Sequence, residues 1–235
     1  MAVQFTTNGD SLANGTGFSV QSTAPQSITV WINALWDGAV KTSSMAGMYH
    51  NSGGTAAIQI GSRGVNGQCA IWNWGGGSIL RSTGVTIPSN TWVNITYTFD
   101  GTTASLYYNG ELNNSVTYTP AAIAFNQVFL NGFAGGGTKE TATFQVDTYE
   151  YFTRALSADE VQTIYTTRGN RHGIVYGGLL RYEFDEGATG STVMTVYDQG
   201  LQVGALNNNL VSNSARTPLV TYLAAAASNN LRPPV

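Results

Sequence analysis

Lysine and cysteine are almost missing from this sequence. Cys69 is the sole cysteine, which excludes an intrachain disulfide and a structural zinc held by clustered thiolates. Lysine occurs only at Lys41 and Lys139. Asp, Glu, Lys and Arg together make up 10% of the chain, against ~25% in an ordinary soluble domain. Nucleic acid is therefore an unexpected partner, because its phosphates need clustered Lys and Arg. No apolar run approaches the ~20 residues of a membrane-spanning helix, so no membrane partner is expected either. The opening stretch, MAVQFTTNGDSLANG, lacks a basic n-region and an apolar h-region. It is not read as a secretory signal, and synthesis in a cytosol is the expectation. Asn14, Asn94 and Asn113 open glycosylation acceptor triplets. Without a signal, in a chain rich in Asn and Thr, these read as chance matches.

What is present is β pattern. The 235 residues suit one large all-β domain or two small ones, and they bury a sizeable core without staples. In SITVWINA, Ile28, Val30 and Ile32 take one face, and Thr29, Trp31 and Asn33 the other. Ile58 and Ile60 repeat the rule in AAIQIG. Val93, Ile95, Tyr97 and Phe99 alternate with polar partners, then Ala104, Leu106 and Tyr108 do so after a DGTT turn. Period two with one apolar face predicts half-buried antiparallel strands. Gly101 and Asp100 suit the first turn, and Asn109 opens an Asn-Gly turn after it.

One helix is expected in RALSADEVQTIYTTRGN. Ser157 and Glu160 have capping-box spacing. Leu156 and Val161 sit where a hydrophobic staple bridges, and Val161, Ile164 and Tyr165 form one apolar stripe that Gly169 ends. Beyond it the β pattern resumes, with Leu180, Tyr182 and Phe184 on one face and then Val193 and Val196. The final segment ends in Leu231, Arg232, Pro233 and Pro234, an extended arm by its prolines. The expected division is a sandwich over 1–168, an added β segment over 169–222 and an arm over 223–235.

Three segments resemble the laminin G-like, concanavalin A-like jelly-roll domains. SITVWINA is similar to the family's early tryptophan strand. NTWVNITYTFDGTTASLYYNGEL resembles its central segment. FQVDTYEYFTRALSADEVQTIY is similar to its closing strand and helix. The resemblance implies an antiparallel β-sandwich jelly roll with one short helix. GLLRYEFDEG…VYDQG looks like a segment that usually opens such domains, here placed after the helix. Two alternatives follow: it completes this sandwich, or it is exchanged with a neighbouring subunit.

Some glycoside hydrolases of this fold carry Glu, Asp, Glu on one strand face. Here Gln145 takes the first position, leaving Asp147 and Glu150. Glu150 falls on the face opposite Asp147 unless the strand bulges. Both hydrolytic mechanisms usually need two carboxyls, so no catalytic residue is assigned. His50 and His172 have no partner at metal-ligand spacing, and no GxSxG elbow occurs. Cys69 reads as a buried, inert thiol. No cofactor is required. Calcium, the family's common ion, stays open, since Asp37, Asp100, Asp147, Asp185 and Asp198 lie near turns with no diagnostic spacing.

In CAIWNWGGG, Trp72 and Trp74 share a face with Ala70, and Cys69, Ile71 and Asn73 share the other. If the Ile71 face is the core, the indoles lie outside as a stacking platform with Asn73 nearby. If the Trp72 face is the core, they pack. Core or subunit contact is the favoured role for these aromatics. Two functional expectations follow. The first is a non-enzymatic virion protein, a phage capsid decoration protein that binds the major capsid protein and its neighbours through the arm. A trimer is the expectation from the three-fold sites shells offer. The alternative is a carbohydrate-binding, lectin-like module that recognises a glycan, free or on a tail fibre.

Overall fold

The computed structural model describes residues 2–5, 12–14, 19–36, 43–49, 57–63, 67–73, 77–131, 143–167, 178–182, 184, 195–196, 210–212 and 221–222. In chain order the strands begin β1 (Val3–Phe5), β2 (Leu12–Asn14), β3 (Val20–Gln21), β4 (Gln26–Ala34), β5 (Ser43–Tyr49) and β6 (Ala57–Arg63). Next come β7 (Gln68–Asn73), β8 (Gly77–Thr86), β9 (Trp92–Phe99), β10 (Thr103–Tyr108), β11 (Glu111–Thr117) and β12 (Ala124–Phe125). The series ends with β13 (Gln127–Leu130), β14 (Phe144–Phe152), β15 (Gly178–Tyr182), β16 (Thr195–Val196), β17 (Leu210–Ser212) and β18 (Thr221–Tyr222). The helix α1 (Ala158–Thr166) lies between β14 and β15.

Two antiparallel sheets form the sandwich. The first runs β11-β10-β9-β4-β14-β1-β18, with β15 also on β14. The second runs β16-β17-β2-β13-β5-β6-β7-β8. Residues 178–222 thus contribute strands to both sheets of the same chain: β15 on β14, β17 on β2 and β18 on β1. The inner faces supply one core, in which Ile28, Val30, Ile32, Ile95, Tyr97 and Phe99 meet Met48, Ile58, Ile60, Ile71 and Leu130. Burying each such side chain is worth about 1.5–3 kcal/mol.

Both expected turns form. Asp100 Oδ1 accepts from the backbone N–H of Thr102 at 2.8 Å and of Thr103 at 2.7 Å, while Gly101 takes φ 103°. Asn109 and Gly110 both have positive φ, 51° and 84°, which matches the twist of a two-residue hairpin. The helix begins as expected. Ser157 accepts from the Glu160 N–H, Glu160 reaches back to the Ser157 N–H, and Leu156 and Val161 share a buried cluster with Tyr107 and Phe152. Gly169 and Val193 lie outside the described residues.

One expectation needs correcting. The central strands are not half-buried: every residue of β4 and β9 is buried. The reason is α1, which packs on the outer face of the first sheet. Val161 and Leu156 cover Tyr107 and Phe152, and Tyr165 stacks on Trp31 with ring centroids 5.7 Å apart. Gly110 fits beneath the helix, where a Cβ would meet Gln162 Oε1 at 2.5 Å.

The edge of β14 is shared. β1 pairs with its Phe144–Val146 stretch, and β15 with Tyr149–Phe152. Ala2 and Val3 therefore occupy the edge that β15 would otherwise follow. The chain leaves at Phe184, fully buried at φ 50°, a costly left-handed conformation for a bulky residue.

Candidate functional site

Gln145, Asp147 and Glu150 all lie on strand β14. Gln145 stands opposite Asn33 of β4 and Gln4 of β1 on the outer face. Asn33 Nδ2 donates to Gln145 Oε1 at 2.9 Å, and Gln145 Nε2 donates to Gln4 Oε1 at 3.1 Å. Gln145 is 6% exposed and Asn33 0%. Both ends of the Gln145 amide are thus committed to a cross-strand ladder.

The strand does bulge. Val146 pairs with Ile32 and Tyr149 with Val30, so Asp147 and Thr148 together oppose Trp31. The extra residue resets the alternation. Glu150 then stands opposite Thr29, on the same face as Gln145. Its Oε1 lies 3.0 Å from Arg181 Nε on β15. Asp147 is buried at the bulge, 3% exposed. The strand therefore presents a locked neutral amide, a buried carboxyl and a carboxylate held by arginine. A glycosidase pair needs one carboxyl as acid and a second as base or nucleophile. Gln145 supplies neither.

Further polar residues of this face are buried. Asn94 Nδ2 donates to Thr29 Oγ1 at 3.0 Å, and Thr96 Oγ1 lies 2.9 Å from the same oxygen. Asn94 is fully buried, so its acceptor triplet is closed to modification in the folded chain. Asn113, the next such residue, holds Thr83 of β8. Its Oδ1 accepts from the Thr83 N–H at 2.7 Å, and its Nδ2 donates to the Thr83 carbonyl at 3.2 Å.

On the second sheet, the Ile71 face is the core. Cys69 and Ile71 join the main cluster, whereas Trp72 stands on the outer face in a row with Gln59, Gly47 and Phe129. Trp72 is nonetheless 6% exposed, and the Arg63 guanidinium lies over its ring at 5.6 Å. It is a packed outer-face residue that seats an arginine by cation–π attraction. Asn73 ends β7, opposite Ile58 and Gly77. Trp74 lies outside the described residues, as do Leu231, Arg232, Pro233 and Pro234 of the arm. Arg63 carried no signal in the sequence, because only strand pairing brings it to Trp72. Gln4 and Asn33 likewise meet Gln145 only through register.

Cys69 is fully buried, and burial pushes its thiol far above the ordinary range. It is a core side chain. The described residues include no group of three His, Cys, Asp or Glu able to hold a metal ion. His50, His172, Asp37, Asp185 and Asp198 lie outside them. Asp100 is spent on its turn, where two backbone N–H groups hold its carboxyl below the ordinary value.

Comparison with known proteins agrees with this architecture. The chain resembles the native heptameric SAP-like pentraxin of Limulus polyphemus, with TM-score 0.60, 12% identity and coverage of 94% of each chain. It also resembles a putative carbohydrate binding protein from Bacteroides ovatus ATCC 8483, with TM-score 0.61 and 14% identity over 93% of this chain and 61% of that one. A third is the binding domain of Paraclostridial Mosquitocidal Protein 1, with TM-score 0.50 and 17% identity over 68% and 41%. At these identities the structural likeness shows the shared fold alone. No curated protein matches the chain in sequence. Residues 6–162 match the laminin G-type model described as the concanavalin A-like lectin/glucanases superfamily, and the chain belongs to that family.

Proposed function

We propose that this protein is a non-catalytic carbohydrate-binding module. The observation that carries the reading is the match of residues 6–162 to the concanavalin A-like lectin/glucanases superfamily, while Gln145, an amide locked between Asn33 and Gln4, supports the non-catalytic part of it. The description of the Bacteroides ovatus relative as a putative carbohydrate binding protein points the same way. The expected shell subunit has no counterpart in the descriptions of the relatives named above.

The candidate contact is the outer face at β6 and β7. Trp72 there serves as the seat, and half-buried Arg63 as the reaching group. A guanidinium offers several N–H donors in a rigid fork, which suits sugar hydroxyls. Asn73 ends β7 beside this site, and Trp74 follows it in the sequence. The test is a glycan array probed with the whole chain, followed by titration of any hit. Saturable binding that falls at least about tenfold, ~1.4 kcal/mol, in Arg63→Ala and in Trp72→Ala supports the reading. An array without a hit, or hits that both variants bind unchanged, contradicts it.

A further inference from the structure

One transverse row on the outer face of the first sheet sets Gln4, Gln145, Asn33 and Trp92 side by side on β1, β14, β4 and β9. Hydrogen bonds run along it from Asn33 Nδ2 to Gln145 Oε1 and from Gln145 Nε2 to Gln4 Oε1. At the Trp92 end the bonding stops. Asn33 Oδ1 and Trp92 Nε1 are buried, and neither has a hydrogen-bond partner among the described residues. Both residues are 0% exposed. Ala2, Trp31 and Trp92 form one buried cluster with Tyr165 packed against it, so bulk water has no route to these two groups.

The two groups are complementary, an acceptor and a donor. Their residues are direct cross-strand partners, whose Cβ atoms stand ~4.5–5.5 Å apart. Native proteins rarely leave such groups bare, and ordered internal water is the usual partner. An anion would face the Asn33 oxygen, and a cation would face the indole N–H. A group that both donates and accepts fits both. We propose that a single water molecule is a fixed part of this sheet, accepting from Trp92 Nε1 and donating to Asn33 Oδ1. The water extends the amide ladder, so that four strands are bridged at one level. It gives position 145 a structural role in a neutral relay, independent of any sugar bound elsewhere.

The test is NMR on the intact chain, with the indole resonance of Trp92 assigned by its loss in Trp92→Phe. The expected result is a magnetisation-transfer peak from that N–H to a long-lived water. An indole N–H without a water contact, or a crystal structure showing Asn33 Oδ1 bonded directly to Trp92 Nε1, overturns the proposal. A mutant cycle gives a second readout. Asn33→Leu and Trp92→Phe each strand the other group, and the double variant strands neither. The double variant should lose less Tm than the two single losses added. Additive losses would overturn the proposal, and the wild-type NMR result decides if a variant fails to fold.

Discussion

At position 145 an amide ties three strands together, and its consequences are energetic. Replacing Gln145 by Leu leaves Asn33 Nδ2 and Gln4 Oε1 without their partners. The expected cost is about 1–3 kcal/mol in urea denaturation. A change within about 0.5 kcal/mol, the range of an unremarkable surface substitution, would contradict the ladder. Gly47 makes a second residue-scale case. A Cβ there would meet the Ile58 carbonyl oxygen and lie 2.7 Å from Phe129 Cζ. Gly47→Ala should cost about 1–3 kcal/mol by overpacking, and a neutral variant would contradict the close approach of the Ile58 carbonyl. At this scale the sequence was partly legible. The alternation in CAIWNWGGG offered two faces for Trp72, and neither alternation nor composition could choose. The choice lies in the pairing of Ile71 with Ile60, which turns that face inward.

Helix α1 was the most legible element, because its signals are local. The Ser157–Glu160 box and the Leu156–Val161 pair sit within one turn. What the sequence did not mark is Arg154, which binds Glu160 through two bonds, at 2.7 and 2.6 Å. That pairing, with help from Ser157, pushes the Glu160 carboxyl from 4.5 down to about 2. A folded value below the unfolded one means stabilisation that is full above about 4.5 and lost as pH falls toward about 2. Both side chains are about one-third exposed, so solvent screens the effect. The protection factors of the α1 amides, corrected for the intrinsic pH dependence of exchange, should fall as pH drops through that window, and Glu160→Gln should flatten the response. Protection factors that stay constant there would contradict this account.

Strand β11 raises a different question, that of an edge. Asn113 is the extra residue where the β10–β11 register slips, and its side chain takes hold of β8. Leu112 and Val116 on either side are 57% and 40% exposed. An uncovered edge with apolar side chains invites self-association. Asn113→Ala should therefore lose about 1–3 kcal/mol and show concentration-dependent mass by light scattering. A variant that stays at the wild-type mass would deny the clasp this role. Neither this bulge nor the one at Asp147 could be read from alternation. Each depends on a partner far along the chain: Thr83 for the first, and the shared edge of β14 for the second.

For the whole molecule, the sandwich was legible because period-two patterning and turn chemistry repeat along β4, β9 and β10. The burial of both faces of β4 and β9 was not, since it depends on where α1 comes to rest. Function was less legible than fold. The same sparse charge and polar surface suited a shell subunit as well as a glycan binder, and family membership weighs toward the second. The most direct test is a titration of the intact chain with the best oligosaccharide from a glycan array, with the mixture then assayed for new reducing ends. The account predicts saturable binding with the oligosaccharide recovered whole. Cleavage of the sugar, or no binding to any glycan offered, would contradict it.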